Sequence, residues 1–361
     1  MRELFSPIFE RSRAVMNLGT AVRQRFQLMH VFTLCAAVLL PALYSVPSIA
    51  AHTDAAHTAS YAVESPAAQT SLLLDIARAG QRLVAVGDRG HILYSDNEGQ
   101  SWLQARVPTQ QLLTAVFFVD EQSGWAVGHD ALILHTSDAG QTWTRQYDDL
   151  DQEAPLLDVW FKDHNTGYAV GAYGMLLVTH NGGQTWQSIG DMLENEDGYH
   201  LNAIDGVSAD GVFIVGEMGG MFRSRDAGAS WETVDSPYSG SLFGVIAGQH
   251  AHELVVYGLR GHIFRSTDFG ESWQATVVNT DNGPLKFGLT GGTQLDNGDI
   301  VIVGHGGTVL RSDDAGLSFS VKNRADRASL AAVVGSEQQE LILVGQNGVQ
   351  RSDKQGNDVA R

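Results

Sequence analysis

Seven apolar runs, each closing on a glycine, punctuate the chain. They are LVAVG at Gly87, GWAVG at Gly128, GYAVG at Gly171, VFIVG at Gly216, LVVYG at Gly258, IVIVG at Gly304 and LILVG at Gly345. Successive glycines stand 41, 43, 45, 42, 46 and 41 residues apart. Ahead of each run lies another apolar stretch, such as LTAVFFVD or LLDVWFKD, and behind it a turn, usually with a second glycine three residues on. A strand such as HIFRS follows, then a polar loop, then a short stretch that opens on an aromatic residue. Short apolar runs bounded by turn residues read as strands, and self-similarity at this period is the mark of a repeat architecture. Four strands per repeat is the content of one propeller blade, whereas the rungs of a linear solenoid are shorter. The pattern predicts an all-β chain, a seven-bladed β-propeller over residues 59–361. The last repeat is truncated, with only NDVAR after Gly356. The alternating segment ASYAVES, residues 59–65, is expected to supply the outer strand of the last blade and so cover an exposed edge.

The polar loop of each repeat has the form S/T-x-D/N-x-G-x-S/T-W, an Asp box. Its acid or amide (Asn97, Asp138, Asn181, Asp226, Asp268, Asp314) is suited to accept hydrogen bonds from loop amides in an Asx-type turn. Its glycine permits positive φ where the chain reverses. Its Trp (Trp102, Trp143, Trp186, Trp231, Trp273) is placed to open the outer strand and pack between sheets. Phe319 replaces Trp in the sixth copy, and in the seventh Lys354 stands where the acid is expected. A catalytic carboxylate has no reason to appear six times around a ring, so the box is read as a hairpin brace.

The first 50 residues differ in kind. Five Arg precede an apolar run from Val31 to Ala50, which ends on Ser48-Ile49-Ala50. Basic residues, an apolar core and small residues at the end predict a secretory signal peptide over residues 1–50, followed by a flexible lead-in over 51–58. Met16 is a second candidate start. The single cysteine, Cys35, falls inside this leader, so the mature chain is expected to use no disulfide or thiol chemistry. Losing five Arg and two Glu would take the formal charge from −18 to −21. Such an acidic chain is a poor nucleic-acid binder, and after cleavage it is not expected to span a membrane. The expected location is the periplasm, or the thylakoid lumen in a photosynthetic host.

Two sets of residues are candidate sites. The residue just before the Asp box is Tyr94, His135, Val178, Arg223, Arg265, Arg311 and Arg351 in successive repeats. Four neighbouring blades thus present Arg at one equivalent position, an arc either free to bind a partner or engaged by acids that tie blades together. The opposite face carries the turns after each apolar run, with Arg89, His129, Tyr173, Glu217, Arg260 and His305 as a possible ligand site. These show no local metal-ligand spacing, so neither a metal nor a cofactor is expected. Asp158, Asp205 and Glu217 could serve a glycosidase as paired acids, but no spacing singles them out. No nucleophile-elbow, zinc-protease or phosphate-loop motif is present.

The repeats GWAVGHDALILHTSDAGQTW and GYAVGAYGMLLVTHNGGQTW resemble those of the photosystem II stability/assembly factor family. That resemblance implies a seven-bladed propeller without catalysis. It also implies binding of a newly made reaction-centre protein, and an Arg patch corresponding to Arg223, Arg265, Arg311 and Arg351. The expected role is an exported, non-enzymatic scaffold that binds an envelope protein or membrane complex. The alternative is a carbohydrate-active propeller, either a sialidase-like hydrolase or a lectin-like binder.

Overall fold

The computed structural model describes residues 60–208, 211–338 and 340–359. The predicted leader over 1–50, the predicted lead-in over 51–58 and residue 59 lie outside the described residues. Among those described, seven antiparallel blade sheets follow one another at residues 73–104, 113–147, 156–188, 201–233, 242–275, 289–323 and 330–352, with a two-stranded hairpin, Asn279–Thr280 with Gly283–Pro284, between the fifth and sixth. The first six have four strands in sequential order and the seventh has three. The first strand of each sheet neighbours the first strand of the next, and the first strand of blade seven (Leu330–Gly335) neighbours that of blade one (Leu73–Ala79). The ring is closed, and the fold is a seven-bladed β-propeller.

The second strand of each blade explains why its sequence is apolar at every position. Gly124–Gly128, Gly167–Gly171 and their equivalents are buried throughout, because neighbouring blades cover both faces. The hydrophobic core is accordingly divided into seven clusters, one per blade interface. The glycine that ends this strand is required by contact, since its backbone is extended. A Cβ on Gly128 would sit 2.2 Å from the Leu112 carbonyl oxygen, and one on Gly171 2.4 Å from that of Pro155.

The segment expected to complete blade seven lies elsewhere. Residues 60–65 form no strand, and the Ala62 N–H donates to the Val107 carbonyl at 3.0 Å. Gln104 holds the same segment, accepting from the Ser65 N–H at 2.9 Å and donating to the Val63 carbonyl at 3.0 Å. These groups belong to the outer margin of blade one, so the segment is spent there. Blade seven is joined to blade one by packing, with Trp102 in a cluster that includes Ile342 and Val344, and by side-chain hydrogen bonding.

Candidate functional site

Each Asp box is a closed hydrogen-bond set. In blade two Thr136 Oγ1 accepts the Gly140 N–H at 3.0 Å and donates to Asp138 Oδ1 at 2.8 Å. Asp138 then accepts the Thr142 N–H at 2.9 Å and its hydroxyl at 2.6 Å. Asn97, Asn181, Asp226, Asp268 and Asp314 accept the equivalent N–H in their own loops. Hydroxyl donation by Ser230, Ser272 and Ser318 holds Asp226, Asp268 and Asp314 below the usual carboxylate range. Blade seven keeps the brace by a slip of one position: Asp353, ahead of Lys354, accepts from the N–H groups of Gln355 and Asn357, both at 2.9 Å.

The four Arg of the arc occupy one position on the third strands of blades four to seven, beside the outer strand where one exists. Arg223 is buried. Its Nη1 donates to the Phe269 carbonyl in the next blade at 2.8 Å, its Nε to Glu232 at 3.0 Å and its Nη2 to Glu271 at 2.8 Å. Arg265 donates to the Ala315 carbonyl of blade six at 2.8 Å and to Glu253 at 3.0 Å. Arg311 reaches the Lys354 carbonyl of blade seven at 2.8 Å and Asp299, also at 2.8 Å. Arg351 pairs with Glu340 at 2.5 Å, and its buried Nε has no hydrogen-bond partner. Side-chain exposure rises along the column from 9% at Arg223 through 14% and 18% to 30% at Arg351. The paired acids are these, and not the box carboxylates Asp226 and Asp268.

The same box carbonyl is capped in the earlier blades by donors that no sequence position marks. Arg82 Nη1 reaches Ala139 at 3.1 Å, Gln146 Nε2 reaches Gly182 at 3.0 Å, and the Tyr168 hydroxyl reaches Ala227 at 2.6 Å. Arg82 also lies over the Tyr94 ring at 4.5 Å. Between blades seven and one the tie runs the other way, from Arg78 Nε to the Gly335 carbonyl at 2.9 Å.

On the opposite face the turns hold a non-glycine residue in the left-handed region, with Arg89 at φ 55°, Tyr173 at 57°, Met218 at 52° and Arg260 at 59°. Bulky side chains rarely adopt this backbone. Arg89, His129, Tyr173, Arg260 and His305 are exposed at these tips and Glu217 is half-buried. Tyr173 and Glu217 share one neighbour that sequence reasoning missed. The His200 ring meets the Tyr173 ring edge-on at 5.2 Å, and its Nδ1 lies 3.8 Å from Glu217. His305 instead faces the Ser329 hydroxyl, and Arg89 pairs with Asp88. Among the described residues no group of three or more His, Cys, Asp or Glu is placed to hold a metal ion.

A cavity of about 620 Å³ lies among the innermost strands. Asp75, Asp158 and Asp205 stand on those strands, and each accepts one N–H from its own strand and one from the next blade. The inter-blade donors are Val116 at 2.8 Å, Ile204 at 2.9 Å and Ala247 at 3.1 Å. Enclosure by the ring pushes Asp75 up to about 7, Asp158 to about 8 and Asp205 to about 6, opposed in part by those N–H donors. Asp158 and Asp205 are thus engaged in joining blades, and Glu217 stands apart on the turn face.

The family model described as photosynthesis system II assembly factor YCF48 matches residues 55–149 and 145–293. The photosystem II stability/assembly factor HCF136 of Oryza sativa subsp. japonica is 35% identical over 66 residues, 17% of this chain and 16% of that protein. Its counterpart from Cyanidioschyzon merolae is 38% identical over 61 residues, 16% of this chain and 14% of that protein. The aligned part therefore spans about a sixth of these curated relatives. A solved structure of YCF48 bound to D1 peptide has a TM-score of 0.63 at 17% identity, covering 81% of this chain and 94% of that one. A xyloglucanase from Xanthomonas campestris has a TM-score of 0.60 at 13% identity, covering 80% of this chain and 53% of that one. At these identities the structural likenesses establish the propeller alone.

Proposed function

This chain belongs to the photosystem II assembly factor YCF48 family, and from that premise we propose that it is a non-catalytic, exported propeller that binds a membrane protein during assembly of an envelope complex. The compartment that fits its leader is the periplasm, or the thylakoid lumen in a photosynthetic host. The observation that carries the proposal is the arginine column of blades four to seven, which puts a line of cations on an acidic molecule. Its accessibility grows toward Arg351, so the contact centres there, with Arg223, Arg265 and Arg311 serving mainly to hold neighbouring boxes in place. A solved relative by fold holds a D1 peptide, which supports a peptide segment as the thing bound. The exposed Tyr173 and Met218 on the other face offer a second contact area.

Carbohydrate chemistry draws support only from a shared fold, which does not carry function. The channel acids that a hydrolase would need free are occupied by backbone donors.

Affinity capture from solubilised membranes of the native host tests the proposal, with wild type and Arg351→Gln compared. A membrane-complex protein should be enriched by wild type and depleted at least several-fold by the variant. An unchanged partner set would overturn the arginine contact. Turnover of any glycoside by the purified protein would overturn the non-catalytic assignment.

A further inference from the structure

Exposed apolar side chains gather on the turn face of blades three and four. Tyr173 is 70% exposed and Met218 60%, and the link between these blades adds Met192 and Tyr199, both exposed. Contacts hold part of the set together. The His200 ring meets Tyr173 edge-on at 5.2 Å, and the His200 N–H donates to Glu217, beside Met218, at 3.2 Å. Asn195 fixes Tyr199 from both sides, accepting its N–H at 3.0 Å and donating to its carbonyl at 2.8 Å. Neither Tyr173 nor Met218 belongs to the core clusters of the adjoining blade interfaces. Both also stand in the left-handed region, at φ 57° and 52°, where a side chain is unfavourable. Blade six makes the same turn with Gly306 at φ 67°, so the fold needs no side chain at this position.

The charge carried by this link and these turns has one sign. Asp191, Glu194, Glu196, Asp197 and Glu217 accompany the four apolar side chains, and no Lys or Arg occurs in residues 163–222. Asp197 beside the Tyr199 hydroxyl, and Glu217 beyond it, push that phenol above its usual range. An acidic frame repels an anionic lipid surface or a second copy of itself, and it attracts a chain whose apolar side chains are flanked by Lys or Arg. We infer that the turn face of blades three and four docks a partner-protein segment of that kind, an apolar anchor set among cationic residues. Met218 and Tyr173 receive the anchor, a soft thioether and an amphipathic ring both being suited to apolar contact, while Glu217 and Asp197 take the cations. The Arg column on the other face has the opposite sign, so the two surfaces select different segments. The inference rests on the proposed binding function for the partner's being a membrane protein, though not for the existence of the surface.

The probe is the fluorescein-labelled peptide Gly-Lys-Leu-Lys-Phe-Lys-Gly, titrated with the full chain by anisotropy at physiological ionic strength. Saturable binding is expected, weakened about tenfold when its Leu and Phe become Ser, and by a similar factor in Met218→Gly or Glu217→Gln protein. Met218→Gly relieves the left-handed backbone, so its thermal midpoint should hold or rise and its loss of binding is not loss of fold. Asp281→Asn, an exposed acid on the hairpin after blade five, should leave affinity unchanged. Absence of saturation at millimolar peptide, or equal affinity for the Ser peptide, would overturn the inference. Equal weakening by Asp281→Asn and Glu217→Gln would overturn it too, by showing diffuse attraction. A dimer that Met218→Gly dissociates would make a second copy the occupant, and phosphatidylglycerol-vesicle binding that this variant abolishes would make a membrane the occupant. Either result would overturn it. If the peptide binds with the stated dependence while host capture yields no membrane protein, the surface stands and the proposed function fails. If capture succeeds and the peptide comparison fails, only this inference falls.

Discussion

Replacing Arg223 by Ala separates a structural tie from a free binding residue. Arg223 is buried and links three groups: the Phe269 carbonyl of the next blade, Glu232 and Glu271. Truncation leaves that carbonyl without its charged donor in a site closed to water, a loss on the order of 1.5–3 kcal/mol. The two carboxylates are about half exposed, at 50% and 58%, and can rehydrate, so each adds no more than about 1 kcal/mol. The expected total is about 2–4 kcal/mol, with Arg223→Lys recovering the charge but not the fork that reaches two blades. Urea unfolding followed by tryptophan fluorescence reads this directly, provided the slope with denaturant is unchanged. A shift below about 0.5 kcal/mol would refute the tie, because surface substitutions without a structural role fall in that range. The same magnitude warns against testing binding with all four Arg removed at once, since three blade junctions would weaken together.

Gly128→Ala should destabilise by about 1–3 kcal/mol or more, because its Cβ would meet a backbone oxygen at 2.2 Å that only a strand shift can relieve, and thermal unfolding checks it. Trp143→Ala should lose about 3–5 kcal/mol in the same denaturation assay, since its ring is 4% exposed and packs edge-on against Phe118 at 6.2 Å. Stability should fall as pH rises from about 4 and level off only as the folded values of about 6 to 8 are passed, measured by unfolding midpoints across pH. Asp75, Asp158 and Asp205 are raised above the ordinary value of 3.8, so between that pH and their folded values the folded chain keeps protons that the unfolded chain has released; the contribution is complete below the unfolded value and gone once pH has risen through the folded ones. Asp158→Asn should flatten the upper part of the profile near pH 8. Asp226, Asp268 and Asp314 have the opposite sign, with stability present above the unfolded carboxylate pKa and lost as pH falls through their lowered values. These two sets of carboxyls together place the optimum near the ordinary carboxylate value of 3.8.

The sequence by itself determined the blades. Each strand's apolar pattern, each close-contact glycine such as Gly128 and each box around Asp138 or its equivalents acts within about 45 residues, and repetition makes such local signals countable. It also placed the four Arg at one position per blade, because that position is fixed by the box beside it. The tertiary structure decided what those positions face. Tyr168, Gln146 and Arg82 cap the same kind of carbonyl that Arg223 and Arg265 cap, yet they come from different strands and share no residue type. The inter-blade bonds of Asp75, Asp158 and Asp205 span 41, 46 and 42 positions, and ring curvature selects their partners. Alternation made 59–65 look like the missing strand, but the hydrogen bonds of Gln104 and Val107 hold its described part, Ser60–Ser65, against blade one. A strand goes where unpaired backbone and fitting side chains meet in space, and among the described residues only the Ser352 bridge to Asp358 meets the outer side of the last blade.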